Sequence, residues 1–164
     1  MDAELYKWSA RVGEALKARK LMMSAAESCT GGWIGQAVTM VPGSSTWFDR
    51  GFVTYTNEAK QEMLGVSADT LKSFGAVSAE TVREMVAGAL ARSRARIAVA
   101  VSGIAGPDGG SSAKPVGTVL LAWGEKGGAI TAQSMHFQGD RDAVRRQSVI
   151  AALEGLLAAI GRAP

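Results

Sequence analysis

A chain of 164 residues has the size of one domain, taken here as residues 1-164, and is long enough to bury a core without disulfides or a structural metal. Its 47% hydrophobic and 20% charged residues exclude a disordered chain. The net charge of +3 is too small and too scattered to predict a nucleic-acid surface, and only mildly favours small anionic ligands.

The one cysteine, Cys29, excludes an internal disulfide and a multi-cysteine metal site and suits a reducing compartment, so a cytoplasmic address is expected. No segment approaches ~18 consecutive apolar residues, and the charged start Met1 to Lys7 leads into no apolar stretch. Neither a membrane span nor a signal peptide is predicted.

From Asp2 to Arg19, Leu5, Trp8, Val12 and Leu16 recur at three- and four-residue steps, with acids early and bases late, predicting an amphipathic helix. Leu21 to Ala26 reads as a short strand. It runs into Glu27-Ser28-Cys29-Thr30-Gly31-Gly32, after which Trp33 to Met40 reads as a helix stopped by Pro42-Gly43. Gly51 to Tyr55 is rich in β-branched and aromatic residues and reads as a second strand, with Asn57 placed to cap a helix through Leu64 that ends at Gly65. Ser67 caps a short helix to Phe74, and Ser78-Ala79-Glu80-Thr81 opens a longer one.

Ile97 to Val101 is a nearly unbroken apolar run, as a central strand requires, and leads into the Gly-rich stretch Ser102 to Gly110. Gly117 to Trp123 and Ala129 to Gln138 form a hairpin around Glu125-Lys126-Gly127-Gly128, and Arg141 to Ile160 closes the chain as a helix. The order is roughly αβαβααβββα. It predicts an α/β fold, a layered α/β/α domain with a mixed central sheet in which the strands ending at Ala26 and Val101 are parallel. Ligands in such sheets gather where strand ends meet helix starts, and both Gly-rich turns qualify.

A helix opening at Thr30-Gly31-Gly32 would present free backbone N–H groups to a phosphate or an oxyanion; a plain helix cap with a tight turn accounts for the same residues. A serine attacks only when a base takes its proton, and the lone His136 sits in a strand with no acid at motif spacing, so a Ser-His-Asp triad is not expected. Lys60, one turn into a helix and beside its positive end, is a possible base, with the Tyr55 phenol as relay; an exposed lysine and an edge tyrosine would have the same spacing. Cys29 is the rival nucleophile, although a buried, inert thiol is its ordinary state. The loop of Gly103, Gly106, Gly109 and Gly110 matches neither a P-loop nor a dinucleotide fingerprint, and serves equally as a ribose or phosphate wrap or as a structural loop. Arg141 and Arg145, one turn apart, suit a phosphate as well as plain surface charge.

Taken in order, the runs Ala26 to Gly32, Val41 to Ser45, Gly51 to Lys60, Leu64 to Val66, Gly75 to Ser78, Gly103 to Gly110, Lys114 to Thr118 and Gly139 to Arg141 resemble the CinA C-terminal domain family over about residues 5 to 160. Stand-alone members of that family are nicotinamide-nucleotide amidases. The resemblance implies that Ser28 is the catalytic serine with Tyr55 and Lys60 as partners, and that nicotinamide mononucleotide is hydrolysed to nicotinate mononucleotide and ammonia without a metal or other cofactor. Thr30, Gly31, Gly32, Gly103, Gly106, Ser45, Asn57 and Arg141 are its implied substrate-binding residues. Ser102-Gly103 departs from the Thr-Gly common in the family but keeps a hydroxyl. The pyrophosphatase-like domain that precedes this module in longer relatives is not found in this sequence, so its activity is not carried over.

The expected partner is therefore a small-molecule nucleotide substrate, with no nucleic acid and no membrane. A homodimer is the expected assembly, since soluble oligomers are most often two-fold. The alternative is a nucleotide-sensing or partner-binding module of the competence or damage-inducible type that turns nothing over.

Overall fold

The computed structural model describes residues 1–162. Six helices and five strands follow one another as α1 (Ala3–Ala18), β1 (Met23–Glu27), α2 (Trp33–Thr39), β2 (Phe48–Val53), α3 (Asn57–Leu64), α4 (Ala68–Phe74), α5 (Ala79–Ala91), β3 (Ile97–Gly103), β4 (Thr118–Glu125), β5 (Ile130–His136) and α6 (Arg141–Arg162). A single 3-10 turn over Ser44–Thr46 precedes β2. The sheet order is β2-β1-β3-β4-β5, with β2, β1 and β3 parallel and β4 and β5 antiparallel to their neighbours. The mixed sheet, the parallel pair β1 and β3 and the closing hairpin are as the sequence predicts. The observed order αβαβαααβββα has three helices between β2 and β3, the three read there one by one from the sequence, where the rough order has two.

Alternation along the strands builds two apolar layers. Ile97, Val99 and Val101 of β3 and Val119, Leu121 and Trp123 of β4 face α1, α2 and α6. The alternate positions Ala98, Ala100, Leu120 and Ala122 face α5 with its Val82, Met85, Val86 and Ala89. Helices thus cover both faces, which is why β1 and β3 are buried along nearly their whole length.

Caps set the helix starts. Asp2 accepts from the N–H groups of Glu4 and Leu5, and Ser67 and Ser78 cap α4 and α5 as predicted. Thr56, not Asn57, caps α3, its hydroxyl accepting from the Ala59 N–H at 3.0 Å, so Asn57 becomes the first helical residue. The second strand also differs from its predicted span of Gly51 to Tyr55. It begins at Phe48, because the polar Asp49 and Arg50 are acceptable on an edge strand, and it ends at Val53. Beyond it the Thr54 N–H donates to the Glu27 carbonyl at 2.8 Å, and the chain turns toward α3 with Tyr55 already outside the sheet.

Since Glu27 pairs with both Val53 and Val101, the parallel strands β1, β2 and β3 finish at the same edge of the sheet. Ser28, Thr54 and Ser102 follow or close those strands side by side.

Candidate active site

At that edge lies a cleft of about 290 Å³ lined by Ser28, Cys29, Tyr55, Asn57, Lys60, Ala76, Val77, Ser102, Gly103, Ala105 and Arg141. Ser28 leaves the end of β1 with its N–H bonded to the Val101 carbonyl at 3.0 Å, so the backbone of the central strand fixes its start. Lys60 comes from the first turn of α3. Its Nζ donates to Ser28 Oγ at 3.0 Å and to the Thr54 carbonyl at 2.9 Å.

Lys60 is only 1% exposed, and no carboxylate pairs with it among the described residues. Burial therefore disfavours its charged form and lowers its pKa from the ordinary 10.5, the proximity of Cys29 opposing this more weakly. Such an amine is suited to taking a proton from the hydroxyl it touches.

Cys29 lines the same cleft, but burial pushes its thiol up to about 11, and it is not the hydrogen-bond partner of Lys60. A thiol so raised is protonated near neutral pH, the state of an inert cysteine.

The turn after Ser28 is held from within. Glu27, 1% exposed, accepts from the Thr30 hydroxyl at 2.6 Å and from the N–H groups of Ile34 at 2.8 Å and Gly35 at 3.1 Å. Its carboxylate does what a side-chain cap would do for α2, whose own N-cap position is Gly32. The start of α2 is therefore not an open anion site: Glu27 takes the Ile34 and Gly35 N–H groups and the Ser28 carbonyl takes that of Gly31, while the Thr30 N–H has no acceptor on another residue among the described residues. The chain's own acid occupies that end of the helix, the Thr30 side chain is buried and turned inward to Glu27, and no side chain of Thr30 to Gly32 lines the cleft. Gly31 and Gly32 instead supply the positive φ values, 60° and 99°, that the turn requires.

Ser45 does not line the cleft of its own chain. It lies on the 3-10 turn ahead of β2, at the opposite end of the strands from Ser28, since Phe48 pairs with Met23 while Val53 pairs with Glu27.

Tyr55 stands at the mouth, 57% exposed, with its hydroxyl accepting from Arg141 Nη2 at 3.0 Å. Its partner is Arg141 and neither Ser28 nor Lys60. Arg141 Nη1 donates to the Gly106 carbonyl at 2.8 Å, so Gly106 takes part through its backbone while Gly103 lines the cleft directly. A second cavity of about 520 Å³, bordered by Pro107, Val116 and Gly139 to Asp142, adjoins the first through Ala105 and Arg141. His136 is remote from Ser28, its Nε2 3.0 Å from the Val116 carbonyl. Among the described residues no group of three or more His, Cys, Asp or Glu side chains could hold a metal, and no helix is long and apolar enough to cross a membrane.

Ser28, Tyr55, Asn57, Lys60, Gly103 and Arg141, which the family resemblance implies, line one cleft, while the buried carboxylate of Glu27 and the wall formed by Ala76 and Val77 were not expected from the sequence. A signal for Glu27 was present, an acid just ahead of a helix whose cap position is glycine. Ala76 and Val77 carry no chemical signal.

The pattern of the CinA C-terminal domain matches residues 5–160. The chain is 55% identical over 155 residues to nicotinamide-nucleotide amidohydrolase PncC of Escherichia coli strain K12, covering 94% of each protein. It is 58% identical over 147 residues to the protein of that name from Pseudomonas putida, covering 90% of this chain and 91% of that one. Its fold superimposes with a TM-score of 0.94 on the crystal structure of competence/damage inducible protein CihA from Agrobacterium tumefaciens, at 47% identity over 99% of this chain and 98% of the other.

Proposed function

The chain belongs to the CinA C-terminal domain family, and from that premise we propose that it is an amidohydrolase converting nicotinamide mononucleotide and water to nicotinate mononucleotide and ammonia. The observation that carries the reading is the buried contact of 3.0 Å between Lys60 Nζ and Ser28 Oγ, with no acid among the described residues paired with the lysine to hold it charged.

Neutral Lys60 takes the Ser28 proton as the oxygen attacks the carboxamide carbon. The Thr54 carbonyl keeps the amine turned toward Ser28 and steadies the ammonium that forms. Of the N–H groups after Ser28, that of Gly31 returns to the Ser28 carbonyl and that of Trp33 to the Thr30 carbonyl. Those of Cys29 and Thr30 have no acceptor on another residue among the described residues and supply the oxyanion donors. Lysine then returns its proton to the departing nitrogen, ammonia leaves, and Lys60 activates the water that hydrolyses the serine ester.

The pyridine ring fits the cleft beside Lys60, and the ribose and phosphate extend past Arg141 into the adjoining cavity. Tyr55, paired with Arg141 at the mouth, grips the nucleotide; a relay role would require its hydroxyl to exchange Arg141 for Ser28.

Ammonia release from nicotinamide mononucleotide, compared with free nicotinamide, tests the proposal. Fast release from the nucleotide and little from the free base is expected. Saturable nucleotide binding without ammonia would instead make the domain a nucleotide-binding module.

A further inference from the structure

Outside the Ser28–Lys60 pair, Arg145, one turn into α6, makes contacts around the turn that follows the nucleophile. Its Nε donates to the Cys29 carbonyl at 3.0 Å and its Nη2 to the Thr30 carbonyl at 3.3 Å. Nη1 meets Asp142 Oδ1 at 3.4 Å, and the guanidinium carbon lies 5.3 Å from the Trp33 ring centroid. Each of its three nitrogens thus has an acceptor, and the aromatic face fixes the plane of the fork.

Both clamped carbonyls belong to the two residues after the nucleophile. In a planar trans peptide the C=O and the following N–H point in opposite directions. Drawing the Cys29 carbonyl toward α6 therefore turns the Thr30 N–H away from α6, toward the layer that carries α3 and Lys60. Glu27 holds the other end of the turn through the Thr30 hydroxyl, so the Cys29–Thr30 peptide has little freedom to flip. A side-chain carbon at position 31 would lie in ordinary contact with Arg145 Nη2, at 3.6 Å, so the glycine there serves the positive φ of the turn and not the clamp.

We propose that Arg145 is a positioning residue for the reaction, one that aims the Thr30 N–H at the oxyanion by holding the Cys29 carbonyl, its bond to the Thr30 carbonyl anchoring the next peptide, whose Gly31 N–H is already taken by the Ser28 carbonyl. The inference rests on the amidohydrolase reading and assigns Arg145 a role distinct from that of Arg141. Arg141 lines the cleft and faces the ligand; Arg145 acts through the backbone, and its cation also polarises the peptide whose N–H it orients.

The test compares wild-type protein with Arg145→Met and Arg145→Lys. Loss of one oxyanion donor costs about 100- to 1000-fold in kcat, and a misaimed donor costs less, about 10- to 100-fold. That loss in kcat for nicotinamide mononucleotide is expected for Arg145→Met, with KM nearly unchanged. Arg145→Lys keeps the charge but not the fork and should fall between the two.

A second readout needs no turnover. The boron of 3-pyridylboronic acid accepts the Ser28 oxygen, whose proton passes to Lys60, and leaves a tetrahedral anion resting on the same donors. Its affinity should drop with kcat across the three proteins. A raised KM with unchanged kcat would make Arg145 a substrate ligand, and a lowered melting temperature with unchanged kcat and boronate affinity would make it a structural residue; either result overturns the proposal. A wild-type protein that releases no ammonia refutes the amidohydrolase reading itself, while the boronate series still reports on the clamp.

Discussion

Lys60 Nζ lies 3.0 Å from the hydroxyl oxygen of Ser28, a residue 32 positions earlier in the chain. The parallel pairing of β1 with β2 makes this possible, because it brings the end of one strand beside the turn that opens α3. Burial at that junction gives the amine its chemistry. A lysine that works as a base must be neutral, and desolvation lowers its pKa below 10.5. The rate of ammonia release should therefore rise with pH along one acid limb and level off above an apparent pKa lower than that of an ordinary lysine. A limb at or above 10.5 would contradict the burial argument.

Cys29 shares the cleft, yet its thiol is pushed up to about 11 by burial and stays protonated at neutral pH. Cys29→Ala should keep most of the wild-type turnover, and a thiol reagent that modifies Cys29 should slow the protein only by filling the cleft. An inactive Cys29→Ala variant of normal melting temperature would transfer the nucleophile to the thiol.

Glu27 accepts three hydrogen bonds from the turn and the start of α2. Glu27→Ala leaves two N–H groups and a hydroxyl without a partner in a buried place, at a cost of about 3 kcal/mol. Chemical denaturation should show that loss together with a fall in kcat, since the same contacts hold the peptides after Ser28. Stability equal to wild type would remove Glu27 from this role.

Gly88 on α5 packs against the end of α3, where a side-chain carbon would collide with the Leu64 carbonyl oxygen. Gly88→Ala must push the two helices apart, costing about 1–3 kcal/mol, and because α3 carries Lys60 the activity should fall with stability. Calorimetry and the ammonia assay on one variant check both.

Two carboxylates tie distant segments together. The Arg146 guanidinium holds Asp2 down to about 2. Burial works to raise Asp49, but the Arg94 N–H and the Arg50 and Arg94 guanidinium groups outweigh it and also leave it at about 2. Depressed carboxylates contribute stability that is fully present above their ordinary value of 3.8 and is lost as pH falls toward 2. Acid titration of the melting temperature should show that loss in this window, and Asp49→Asn should make it shallower. An unchanged profile in the variant would remove Asp49 from the account.

The central strand, the hairpin and most helix caps were legible because buried runs, periodicity and serine or aspartate caps act locally. The start of β2 was not, since Phe48-Asp49-Arg50 lacks the apolar alternation and is held as a strand by its neighbour β1 and by Arg94. In the site, spacing alone left Lys60 indistinguishable from a surface lysine, and only the resemblance raised it; its burial depends on the junction of β2 and α3, which no local pattern encodes. Thr30 to Gly32 read as an open helix start because nothing in sequence shows that Glu27 folds back to take the Ile34 and Gly35 N–H groups. Ser45 lies away from the cleft of its own chain for a topological reason, on the turn ahead of β2, at the opposite end of that strand from Val53.

The most direct measurement is ammonia release from nicotinamide mononucleotide by Ser28→Ala and Lys60→Met, each checked by circular dichroism for retained fold. Removing a nucleophile or its base from such a unit costs about 10⁴-fold or more, so both variants should be inactive while folded. Turnover near the wild-type rate in either folded variant would contradict the Ser28–Lys60 mechanism.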